Sequence, residues 1–183
     1  IYQKLKHVND RIDDLNSAFL SMCDELNQNE GIIVSNAMAG NTALSEEIAF
    51  WLKQVVDELI CLVGLAEYSK ANAGTFPKVL KVDCIGMLSK DNVLNQMFQG
   101  HRTFLDKLND VANAHKHSFL NTDHRFISGV EPLVFAITLP RNDLAKPSVF
   151  HAWAVRDMVE GFNLFFVDCL IRLKNWHAQP QQA

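Results

Sequence analysis

The densest group of reactive side chains in this 183-residue sequence lies between His101 and Ser118. On a helix, Arg102, Asp106, Asp110, Asn113 and His117 follow spacings of four, four, three and four, so they share one face. Such a face admits a functional reading in which its polar side chains act together. The same face also reads as a solvated helix side on which Arg102 pairs with Asp106. His115 falls on the opposite, apolar stripe, where a core histidine with a satisfied ring nitrogen is expected.

His115, His117, Asp123 and His124 offer ligand types that suit zinc or manganese. Two residues along a helix turn by about 200°, however, so His115 and His117 cannot face one ion. No metal ligands are assigned. The Glu-x-x-His pairs of a di-iron bundle are absent, since none of the eight glutamates has a histidine three residues on. No phosphate-cradling glycine loop, dinucleotide fingerprint, His-Glu-x-x-His or Gly-x-Ser-x-Gly occurs. No cofactor is expected, and the aromatic cluster of Trp153, Phe162, Phe165, Phe166 and Trp176 reads as core.

The elements that must position these residues are mostly helical. Leu5, Val8, Ile12, Leu15, Phe19, Met22 and Leu26 alternate spacings of three and four, which predicts a helix over about 2–28. A second helix is expected from Ser45 as N-cap, with Glu46 and Glu47 in its first turn. Its stripe runs Ile48, Leu52, Val55, Leu59, Leu62 and Ala66, and a second row of Ala49, Val56, Ile60 and Val63 widens it, so this helix should be central. Asn72, Gly74 and Pro77 mark a loop. A third helix begins near Ser89, with Asp91 in its first turn, and weakens near Gly100. A fourth carries Leu105, Leu108, Ala112, His115 and Phe119. Gly129 and Pro132 break the pattern, and Leu133 to Leu139 is rich in strand formers, giving a small hairpin near 125–139. The final helix is expected over about 149–176, with Ser148 as cap. The fold class is therefore mainly α, an antiparallel bundle of four or five helices with a short β-hairpin insertion.

Length, a 48% hydrophobic content and a 21% charged content suit one folded domain over 1–183, with no linker visible. The longest apolar run, Leu59 to Ala66, is far short of the roughly 20 residues that span a bilayer, so no membrane partner is expected. The first turns hold Lys4, Lys6 and His7 and no apolar signal core, and Cys23, Cys61, Cys84 and Cys169 show no paired spacing. Both features point to a cytoplasmic protein with buried thiols. A formal charge of −4 gives no global attraction to nucleic acid, so any RNA contact needs a local basic face.

At Asn113-Ala114-His115-Lys116-His117, followed by a hairpin and a long last helix, the order of parts resembles the HEPN superfamily of helical bundles. Similar uncharacterised bacterial proteins carry an Asn/Asp-x-Lys-His-like end to the corresponding helix. The resemblance covers the second half of the chain. RNases of the superfamily place an arginine before a polar residue and a histidine four positions after it, usually at a dimer interface. Asn113 and His117 match the last two positions, but Ala112 stands at the arginine, and an alanine cannot stabilise developing phosphate charge as a guanidinium can.

The resemblance implies a homodimeric, non-enzymatic HEPN-like module for binding or regulation in RNA-related or defence processes, with an RNA or protein partner. Its rival is a metal-independent RNase in which Arg102, Arg125 or Lys116 replaces the motif arginine. On either reading the candidate catalytic residues are Asn113, His117 and Arg102, and the candidate binding residues are Asp110, Lys116 and Arg125. A third reading is a bundle whose heptad seams bind another protein. A catalyst would hold Asn113 and His117 in a cleft beside a cation, whereas a scaffold would leave them on an open face. A partner-binding bundle would expose an apolar patch along its first or last helix.

Overall fold

The computed structural model of the chain describes residues 1–28, 37–117, 131–139, 143 and 145–178. They are mainly helical, with a small two-stranded antiparallel sheet. The helices are α1 (Tyr2–Gln28), α2 (Ala37–Ala71), α3 (Asn92–Met97), α4 (Arg102–His117) and α5 (Val155–His177). Single 3-10 segments at Ile85–Lys90 and Gln99–His101 flank α3, and β1 (Leu133–Thr138) and β2 (Val149–Ala154) precede α5. No helix among the described residues is long and apolar enough to cross a membrane.

The backbone falls into two compact units, one of residues 1–53 and 110–158, the other of residues 54–109 and 159–183. In the first, the α1 stripe buries Val8, Leu15, Phe19 and Met22, and the start of α2 buries Ile48, Ala49 and Leu52. Polar contacts join these two helices along one edge. Arg11 and His7 approach Glu47 at 4.0 and 3.8 Å, and His7 stands edge-on to Trp51 at 5.3 Å. In the second unit, Val55, Val56, Leu59, Ile60 and Val63 of α2 are buried, as are Leu94, Phe98, Leu105, Leu108, Phe165 and Cys169. The two apolar rows expected on α2 are thus inside, except that Leu62 is exposed. Asp57 on α2 accepts the Ile85 N–H at 2.8 Å and so satisfies the first 3-10 turn, whose Cys84 cap supplies no side-chain bond.

Three boundaries differ from expectation. Helix α2 begins at Ala37 rather than Ser45; the Ser45 hydroxyl is buried and donates back to the Asn41 carbonyl at 2.8 Å, a mid-helix role that replaces capping. Asp91 rather than Ser89 caps α3, accepting from the Val93 and Leu94 N–H groups. The last helix begins at Val155, because Val149–Ala154 forms a strand paired in antiparallel register with β1, Leu133 opposite Ala154 and Thr138 opposite Val149.

The partner of the β1 strand is therefore this later segment. Residues 118–130, which include the first arm expected of a hairpin near 125–139, lie outside the described residues. The physical reason lies in period and partner. Val149-Phe150-His151-Ala152-Trp153 is β-branched and aromatic enough for a strand, and pairing buries Trp153 on the face shared with Val134. Phe135 and Phe150 stack on the other face at 5.8 Å, and Thr138 Oγ1 meets His151 Nε2 at 2.8 Å.

Candidate functional site

The polar face of α4 carries most of the residues singled out from sequence. Leu105, Leu108, Val111, Ala112 and Ala114 bury the opposite face, which turns Asp106, Asp110, Asn113 and Lys116 to solvent. His117 ends the helix with its side chain outside the described residues, as is Arg125 entirely. Ala112, at the motif's arginine position, is buried, so a guanidinium in its place would enter the core.

Arg102, the nearest upstream arginine, is already occupied. Its Nη2 lies 2.8 Å from Asp106 Oδ1 and its Nε donates to Asp106 Oδ2 at 3.2 Å, a two-point pairing. Its Nη1 donates to Asn95 Oδ1 at 3.3 Å. Eleven residues along one α-helix span about 16 Å, so Arg102 and Asn113 occupy separate stretches of α4. The bond between Arg102 and Asp106 is the pairing expected of a solvated helix side.

Two polar groupings escaped the sequence reading. Asp168 on α5 receives Arg172 Nε at 3.1 Å and lies 3.3 Å from His101 Nε2 through the same oxygen, Oδ2. Arg172 Nη2 also donates to the Met97 carbonyl at 3.4 Å, and the His101 ring is edge-on to Phe165 at 5.6 Å. The Asp168 and Arg172 pair has the i,i+4 spacing of a helical ion pair and could have been found. The tie to His101, 67 residues away, carried no local signal. This grouping fastens α5 to the segment between α3 and α4.

The second grouping is His115 with Glu46. The His115 side chain is turned inward and only 8% exposed, as its stripe position implied, and its Nδ1 stands 3.3 Å from Glu46 Oε1 on α2. That approach is an ion-pair distance without the direction of a hydrogen bond, and Nε2 meets no hydrogen-bond partner among the described residues. Among the described residues the ring lacks the satisfied nitrogen expected of a core histidine. Burial pushes the His115 pKa below the ordinary histidine value, against an upward pull from Glu46.

Thiol chemistry is disfavoured where the structure speaks to it. None of the four cysteines is in a disulfide. Burial, with Asp168 beside it, pushes Cys169 up to about 12, and burial with Asp83 and Asp57 raises Cys61. Both therefore stay protonated near neutrality and make weak nucleophiles. Among the described residues, no three histidine, cysteine or carboxylate side chains converge as a metal site would require. Comparison of the chain with family models, curated proteins and solved structures finds no match in any of the three.

The last helix shows one more feature. Leu164, Val167 and Ile171 on α5 are 69%, 54% and 52% exposed, while Phe162, Phe165 and Cys169 on its other side are buried. Phe162 and Phe165 belong to the aromatic cluster read as core from the sequence. The exposed stripe is a separate row on the same helix.

Proposed function

We propose that this chain is a non-enzymatic binding or regulatory module with a HEPN-like helical scaffold, acting in an RNA-related or defence setting. The observation that carries the reading is the state of α4. Asp110, Asn113 and Lys116 stand exposed, and the guanidinium of Arg102 is held by Asp106 and Asn95 about three helical turns away. A nuclease of the resembling kind needs a cation beside the polar residue and the histidine, and α4 offers a buried alanine there. An antiparallel bundle of four or five helices is part of the same proposal. The exposed row on α5 favours protein as the partner over RNA, in keeping with a net charge of −4.

The test is labelled single-stranded RNA incubated in EDTA with wild-type, His117→Ala or Arg102→Ala protein. No cleavage above the buffer control is expected from any of them. Robust wild-type cleavage abolished by His117→Ala would overturn the reading, and a further loss in Arg102→Ala would identify Arg102 as the substitute cation.

A further inference from the structure

The exposed row on α5 is longer than its three aliphatic members. Continued at the same spacings of three and four it reads Glu160, Leu164, Val167, Ile171 and Lys174, and all five are exposed. The order is acidic, apolar, apolar, apolar, basic. Glu160 and Lys174 each lie seven residues from Val167, so the row is antisymmetric in charge about that residue.

That arrangement has a direct geometric consequence. A two-fold axis through Val167 lays a second α5 antiparallel to the first, with Val167 against Val167. Glu160 of each copy then sits opposite Lys174 of the other, and Leu164 packs against Leu170 and Ile171. A parallel pairing would instead set Glu160 against Glu160 and Lys174 against Lys174. The row is thus self-complementary in one direction only, as an isologous interface requires.

We infer that the outer face of α5 docks a second copy of this chain as an antiparallel helix pair centred on Val167. The inference rests on the binding-module reading and names its partner. Two facing rows of three aliphatic side chains cover less than the about 800 Å² per partner of a standard stable interface. The dimer is accordingly reversible and concentration-dependent. The exposed charges at its rim set direction more than strength.

The experiment is sedimentation velocity on the full chain from about 1 to 500 µM, a range that brackets micromolar association. Wild-type protein should shift from monomer to dimer across that range. Val167→Asp, which places two carboxylates on the axis at an exposed position, should remain monomeric at every concentration with an unchanged circular dichroism spectrum. Glu160→Lys and Lys174→Glu should each weaken association several-fold, and the double variant carrying both should recover it, because exchanging the two charges rebuilds both contacts. A chain that stays monomeric throughout, or a dimer indifferent to Val167→Asp, overturns the proposal. A dimer that loses to each single reversal without recovery in the double variant overturns the antiparallel geometry. Monomeric protein that still fails to cleave RNA removes this interface and leaves the non-enzymatic reading standing, whereas His117-dependent cleavage removes that reading whatever the mass.

Discussion

His115 Nδ1 stands 3.3 Å from Glu46 Oε1, with the imidazole only 8% exposed and the carboxylate side chain 42% exposed. The ring gives up hydration to sit there, and the carboxylate, still partly in water, returns only part of what is lost. Burial therefore dominates and the pKa is lowered.

The sign of the pH effect follows. In the unfolded chain His115 takes up its proton near the ordinary value of about 6.5. In the folded chain it does so only at lower pH, so between those two values the unfolded state holds more protons and acid favours unfolding. Stability should fall as pH drops below about 6.5 and level off below the folded pKa. Urea midpoints measured between about pH 5 and 7.5 should show a shallower pH dependence in His115→Leu than in wild type, and a steeper one in Glu46→Gln. Identical slopes in wild type and His115→Leu would refute this account.

Gly161 on α5 lies against Phe104 of α4 so closely that a Cβ would stand 2.6 Å from Phe104 Cδ2 and 3.1 Å from Cγ. Those atoms are near the root of the ring, which cannot swing clear without moving its own helix. Gly161→Ala gains about 1 kcal/mol in helix propensity but suffers overpacking of about 1–3 kcal/mol. The net expectation is a loss of about 1 kcal/mol. Gly100→Ala, where nothing lies within 4 Å, should be neutral or stabilising. A thermal melt in which Gly161→Ala raises the midpoint would contradict the packing.

Leu59 is buried in the α2 segment of the second unit. Leu59→Ala should cost about 2–5 kcal/mol, through lost burial and the cavity left behind. Leu62→Ala, three residues on but exposed, should change stability by less than about 0.5 kcal/mol. Equal effects in chemical denaturation would show that Leu59 and Leu62 are not differently placed.

Asp168 joins Arg172 and His101 through one oxygen. Asp168→Asn keeps the shape and removes the charge, and should destabilise by about 1 kcal/mol. In a double-mutant cycle with His101→Gln the two losses should be less than additive. Full additivity would mean that the 3.3 Å approach contributes no coupling.

Much of the helical skeleton was legible because apolar side chains recur at the helical period wherever a helix face is buried. The row of α1, that of α2 apart from Leu62, and the described part of the α4 row were readable in that way, down to the inward position of the His115 side chain. The pairing of Arg102 with Asp106 was legible for the same local reason, since four residues make one helical step. The start of α2 was misread because a serine hydroxyl serves a cap or a mid-helix carbonyl equally well, and only the surrounding backbone selects between them. Val149–Ala154 was misread as helix because apolar residues running up to a strongly periodic helix continue its pattern by chance. A strand declares itself only when its partner is known.

The sequence by itself determined which side chains could share a face: the polar row of α4, its buried opposite and the apolar stripes of α1 and α2. That follows from a helical period that every residue obeys. Tertiary structure alone decided what those faces meet. It set Glu46 beside a histidine distant in sequence, joined His101 to Asp168, engaged Arg102 with Asn95 as well as Asp106, and left Leu164, Val167 and Ile171 in water. Such contacts depend on which elements pack together, and packing is chosen by the burial of the whole chain rather than by the spacing of neighbours along it.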